Sequence, residues 1–292
     1  MKRFLIGGLA LAAVSSSFGQ FVIDGSKDAG YNSGGSFQTT PTGFGNSTLG
    51  QVGAANGSEL DGLIAEITPN NLVMLFTGNL QSNFNKLEIF IDVDGATSGQ
   101  NILAANAGSG LSGMSGLRFD TGFVPEYWFR VNGDGTNFFV DSGVLGASSV
   151  TQTYRGTNTY GAGSAGALTG GTNGGVLAAI NNSNTAGVDG SSVGTPSAVT
   201  TGVEISIPVS LLGNVTWGQG LRVSAFINGD SGNFLSNQVL GGLPSGTANL
   251  GNPTSVNFNN IAGNQFVAVP EPASMAVLGL GIFGLARRRR NK

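Results

Sequence analysis

Short runs in which apolar and polar residues alternate strictly, each broken off by glycine, asparagine or aspartate, most narrow what this chain can become. In residues 87–94, Leu87, Ile89, Ile91 and Val93 fall on one side, with Glu88, Phe90, Asp92 and Asp94 on the other. Residues 221–228 repeat the pattern, setting Leu221, Val223, Ala225 and Ile227 opposite Arg222, Ser224, Phe226 and Asn228. Val203, Ile205 and Ile207 alternate with Glu204 and Ser206 until Pro208 ends the run, as proline ends a strand. A period of two is strand geometry, and the body shows no convincing amphipathic helix. Glycine reinforces the point: 50 of 292 residues is far above the usual share of about 7%, and glycine serves turns better than helix interiors.

The pattern predicts an all-β chain, with further strands at 62–68, 116–120, 126–131, 136–141 and 264–268. Residues 72–76 are apolar throughout and belong in the middle of a sheet, covered on both faces. Turns such as Asn132-Gly133-Asp134-Gly135 and Asn228-Gly229-Asp230 link neighbours antiparallel, and one-sided alternation calls for a second sheet. The expectation is a single antiparallel β-sandwich over residues 20–268. Its segment 157–200, rich in Gly, Ser, Thr and Asn with Asp189 as its one charge, reads as a mostly irregular insertion with a short strand near 176–180.

Composition excludes several chemistries. With no His and no Cys, the chain has no Ser-His-Asp or Cys-His catalysis, no thiolate chemistry, no disulfide and no ordinary zinc or copper site. Seven of the thirteen lysines and arginines lie in the terminal segments, leaving six against fifteen acids in residues 21–269, a net charge of about −9. A body so acidic is unsuited to nucleic acid. Its glycine loops do not join strand to helix, so phosphate cradling is unsupported.

The two ends read as addresses. Residues 1–19 open with Lys2 and Arg3, continue as an apolar run from Phe4 to Val14, and close on small residues including Ser17 and Gly19. That is the layout of a Sec signal peptide, with the mature chain starting near Gln20 after signal peptidase. At the other end stand Val269, Pro270, Glu271 and Pro272 (269–272), an uncharged stretch (273–286), then a basic tail (287–292) with Arg287, Arg288, Arg289 and Arg290. As a helix, the uncharged stretch covers only about 21 Å of a hydrocarbon core about 30 Å thick, so it is a short and marginal transmembrane anchor. The arginines resist translocation and stay in the cytoplasm, which leaves the Pro-Glu-Pro triplet outside.

In this order, residues 269–292 resemble the bacterial PEP-CTERM sorting signal. The resemblance implies an exosortase, a membrane-embedded peptidase that cuts at or near the motif, and delivery to the envelope or an extracellular polysaccharide matrix. Carried over, Pro270, Glu271 and Pro272 are the recognition element and Arg287–Arg290 the cytoplasmic retention signal. A permanent tail anchor is the alternative. Phrases in the body, Val22-Ile23-Asp24-Gly25, residues 72–76, residues 84–92 and residues 202–208, look like the DOMON-like sandwich of family 9 carbohydrate-binding modules. That likeness implies sugar binding, often beside a structural calcium ion. The family's sugar clamp is a pair of tryptophans, and here the tryptophans are Trp128 and Trp217.

Candidate sites follow from residue type. Asp92 and Asp94, on one face of a strand about 6.6 Å apart and running into Gly95, could hold Ca²⁺, or could be solvated turn carboxylates. Trp128, flanked by Tyr127 and Phe129, could stack on a sugar if it faces outward, with Phe90 and Phe226 behind it; core packing is the competing account. Glu59 with Asp61, or Glu126 with Glu204, are the carboxylates available as a glycosidase pair. The reading that results is a non-enzymatic envelope or matrix protein, exported through the inner membrane, held briefly by its tail and contacting polysaccharide. Its alternatives are a structural or adhesive surface protein without a small ligand, and a carbohydrate-active hydrolase.

Overall fold

A computed structural model describes residues 21–269, apart from 33, 46–54, 95–97, 162–165, 214 and 216–219. The signal peptide and the sorting segment from Pro270 onward lie outside the described residues, as does Trp217. Among the described residues, no helix is long and apolar enough to cross a membrane.

The fold is a two-sheet antiparallel sandwich. Its strands are β1 (Ser36–Phe37), β2 (Glu59–Ile67), β3 (Asn71–Asn79), β4 (Lys86–Val93), β5 (Tyr127–Gly133), β6 (Asn137–Leu145), β7 (Val150–Thr159), β8 (Leu177–Ile180), β9 (Gly202–Pro208), β10 (Leu221–Asn228), β11 (Leu235–Val239) and β12 (Val267–Val269). The first sheet runs β1-β2-β3-β9-β8 and the second β11-β10-β4-β5-β6-β7, with β12 beside β11 on the outer edge of β10. Every pairing between these strands is antiparallel.

The alternation of the sequence becomes the central core. Leu87, Ile89, Ile91 and Val93 of β4, with Val223, Ala225 and Ile227 of β10, meet Leu72, Met74 and Phe76 of β3 and Ile205 and Ile207 of β9. β3 is covered on both faces, because Val73 and Leu75 enter a smaller cluster with Ile23, Tyr31 and Ile64 under the N-terminal segment. The β5–β6 turn closes on Asp134, whose carboxylate accepts the Thr136 and Asn137 N–H groups, while Gly135 takes a φ of 101°.

One expectation is corrected. Residues 116–120 form no extended strand: Arg118 bridges Ile102 on one side and Asn257 on the other, and Leu117 and Phe119 turn inward. The face of the second sheet opposite the core is not a polar outer surface. Loops between β4 and β5 and after β11 lie over it, and Leu103, Met114, Phe119, Phe123 and Phe258 pack onto Phe90, Trp128 and Phe226 as a second core. The molecule is therefore three layers deep, with irregular backbone supplying the third.

Candidate functional site

The expected calcium pair meets a guanidinium. Asp92 is buried in β4 and Asp94 lies just beyond its end, half exposed, and Arg222 of β10, opposite Asp92 in the register, reaches both at 3.3 Å and 2.6 Å. Val124 N–H also donates to Asp92 at 2.8 Å. Burial raises the Asp92 carboxyl above the usual range, against the pull of that N–H and of Arg222. Arg222 thus stands where the calcium reading required the ion, and the pair reads as an internal salt bridge.

The aromatic candidates are also corrected. Trp128, Phe90 and Phe226 are each fully buried, so none presents a face to a sugar. Phe90 packs 4.8 Å from Phe119 and 5.6 Å from Phe226, ring centre to ring centre. Trp128 donates its indole N–H to Glu88 at 2.7 Å, and Arg130 grips the other oxygen of Glu88 with Nε and Nη2 at 3.0 and 2.7 Å. Glu88 is thereby neutralised and hydrogen-bonded inside an apolar layer, which is what a buried carboxylate needs. Alternation could place Trp128 on a face; the loops that cover that face are not periodic and gave no signal.

The possible glycosidase acids divide. Glu126 precedes β5 in the second sheet, where Oε2 accepts the Val93 N–H at 2.9 Å; Glu204 sits in β9 of the first sheet. Glu204 is fully buried and accepts from the Tyr31 hydroxyl at 2.7 Å and from the Asp24 and Gly25 N–H groups at 2.9 and 3.0 Å. Burial lifts both carboxyls to about 7, with the donors pulling the other way. Glu59 and Asp61, by contrast, do come together, and the amide nitrogen of Asn184 donates to both.

One surface was not legible in the sequence. The inner face of the second sheet extends past the shorter first sheet, leaving a groove over β5, β6 and β7 lined by Tyr127, Ser142, Val144, Thr151, Thr153, Arg155 and Leu211. Tyr127, Val144 and Thr151 form one row across the three strands, and Phe129, Ser142 and Thr153 the next. Arg155 occupies the extra position of a bulge in β7 and donates from Nε to the Ser142 hydroxyl at 2.6 Å. The groove offers hydroxyls, a phenol and a guanidinium, and no carboxylate lines it.

The described body is thus an all-β sandwich whose buried acids are mostly settled by internal partners. Residues 268–290 match the family model of the PEP-CTERM protein-sorting motif. The chain carries this sorting motif, which supports export, anchoring at the membrane and sorting by an exosortase. No curated protein and no solved structure matches the chain, so the likeness to family 9 carbohydrate-binding modules gains no support there.

Proposed function

We propose that the protein is a non-enzymatic component of the cell envelope or extracellular matrix and that it contacts polysaccharide through the groove over β5–β7. The sorting motif at residues 268–290 supports this reading, since such a motif marks a chain for export and exosortase sorting. The groove supports the ligand class: Tyr127 offers a ring edge and hydroxyl, while Ser142, Thr151, Thr153 and Arg155 offer hydrogen-bonding groups spaced along adjacent strands. Hydroxyls with one guanidinium and no carboxylate match a polyol, neutral or acidic, better than a cation. Two observations favour a non-enzymatic role: Glu126 and Glu204 stand in different sheets, and Glu59 and Asp61 are buried away from the groove.

The test uses the host. The chain with Glu271→Ala should keep its arginine tail and stay in the membrane fraction by intact mass, whereas the unaltered chain is trimmed. Trimmed protein should be depleted from solution by the host's own exopolysaccharide, and Tyr127→Ala should weaken that depletion about tenfold, as for loss of one ring contact of roughly 1.4 kcal/mol, with a lowered Tm because the ring also packs on the core. Unchanged trimming of Glu271→Ala favours a permanent anchor. Absence of depletion removes the polysaccharide reading and leaves the adhesive one.

A further inference from the structure

The sorting signal begins inside the folded body. β12 is the last described strand, and the match to the sorting motif starts at Ala268, its middle residue. Val269 pairs with Leu221, Ala268 with Arg222 and Val267 with Val223, so Pro270 follows directly on a residue held in the second sheet. Only Pro270, Glu271 and Pro272 separate that residue from the uncharged stretch at Ala273, at most about 11 Å of extended chain. A peptidase takes its substrate as an extended segment whose backbone groups it must reach. Here the residues on the N-terminal side of the triplet already pair with β10, and the whole sandwich stands behind them.

β12 is weakly held, and the chain before it is not. The strand is three residues long, pairs with β10 alone among the described strands, and has Ala268 exposed, Val267 half-buried and only Val269 buried. Between β12 and the first sheet lies a groove of about 370 Å³, with Gly34, Gly35, Leu63 and Ala65 across from it, so that flank of the strand is only loosely covered. Just upstream the chain is fixed. Gln265 is buried; its N–H donates to Asp120 at 2.6 Å, its side-chain amide to the Gly242 and Ala262 carbonyls at 3.3 Å each, and its carbonyl accepts the Ser224 hydroxyl at 2.7 Å. Phe266 stacks on Phe123, with ring centres 5.3 Å apart. Local opening starts where buried contacts are few and stops where they accumulate. Opening of β12 therefore ends at Phe266 and frees three residues, about 10 Å of further chain, while the anchor at Gln265 stays in place.

We propose that β12 is a latch: it unpairs from β10 as far as Phe266 to admit the Pro-Glu-Pro triplet to the exosortase, and cutting is slow while it stays paired. This rests on the trimming proposed above.

The test locks the latch. The chain has no cysteine, so a pair introduced across β10 and β12 can close only on itself. Of two adjacent antiparallel pairs, one is the closer, non-hydrogen-bonded kind that suits a disulfide. Both Val223→Cys with Val267→Cys and Arg222→Cys with Ala268→Cys are therefore made, and either serves if the other does not fold or does not close. Full-length chain, purified uncut from cells without the peptidase, is mixed in detergent with host membranes that carry it, and trimming is followed by intact mass. The closed chain should be trimmed at least about tenfold more slowly than the same chain reduced, with the unaltered chain indifferent to the reductant. An insertion of about ten Gly and Ser residues between Val269 and Pro270 should restore trimming to the closed chain, since the triplet then reaches the peptidase with β12 still paired. Trimming of the closed chain at the reduced chain's rate overturns the latch and leaves exosortase processing standing, and so does failure of the insertion to restore it. An unaltered chain that is not trimmed at all removes exosortase processing, and the latch falls with it.

Discussion

Asp92 with Asp94 and Glu59 with Asp61 are the same motif on paper: two acids two residues apart on a strand. They differ in what faces them. β10 brings Arg222 opposite the first pair, and a guanidinium fills the gap between the carboxylates. β3 and the β8–β9 connection bring asparagines and glycine to the second pair, so its charge has no internal answer. Glu204 shows a third solution, in which hydrogen-bond donors alone hold a buried carboxylate. The lesson is that strand register decides whether an acid pair gains a counter-charge or is left without one, and spacing along one strand does not reveal register.

If an internal cation is what separates the settled acids from the unsettled pair, removing one should cost most where burial is deepest. Glu88 is that place: Arg130→Met keeps the bulk of the side chain but leaves a fully buried carboxylate without its counter-charge. The expected loss is about 3–5 kcal/mol in urea unfolding, the scale for breaking a buried pair from one side. A loss under about 1 kcal/mol would mean that the indole N–H of Trp128 suffices, and that buried acids here do not need cations.

Glu204 gives a smaller effect with a definite sign. Its carboxyl titrates near 7 in the fold, against an ordinary value of 4.5, with burial as the largest cause and the Tyr31, Gly25 and Asp24 donors opposing it. A raised value means that the folded state holds the proton more tightly. The stabilisation is therefore complete below about pH 4.5 and lost as pH rises through about 7. Glu204→Gln keeps an acceptor for Tyr31 and cannot ionise, so the stability difference between unaltered and substituted chains should move by about 2–3 kcal/mol in favour of glutamine from pH 4.5 to 7.5. A flat difference across that window would show that the hydrogen-bond donors fully offset the desolvation.

Much of the architecture was legible because burial on one face writes itself as a period of two: β3, β4, β9 and β10 stand where alternation or an unbroken apolar run put them. β7 escaped because Thr151, Gln152, Thr153 and Tyr154 sit at a sheet edge, partly exposed, with no apolar stripe to read. β11 escaped for the opposite reason, since Ser236, Asn237 and Gln238 are polar yet buried, bonded across to Ile227, Pro41 and Thr40. Residues 116–120 misled because Leu117 and Phe119 alternate inward from a loop. The open groove arises from unequal sheet widths, and the cover over Trp128 from aperiodic loops; neither is a property of any one segment. The sorting motif was legible from its order of residues alone, being linear.

The sharpest test of the contrast converts one pair into the other. Arg222→Ser removes the guanidinium from Asp92 and Asp94, which then resemble Glu59 and Asp61: two neighbouring carboxylates with no lysine or arginine of the described chain at ion-pair distance. The cost should be modest, about 1–2 kcal/mol, because Arg222 is itself partly exposed and Asp92 keeps the Val124 N–H. The loss should shrink as calcium is added, since a divalent ion can take the place the guanidinium vacates, and thermal melts of Arg222→Ser with and without calcium measure this directly. A Tm gap between Arg222→Ser and the unaltered chain that calcium does not narrow would mean that half-exposed Asp94 leaves its charge to solvent. What distinguishes the Glu59 pair would then be enclosure more than the want of a partner.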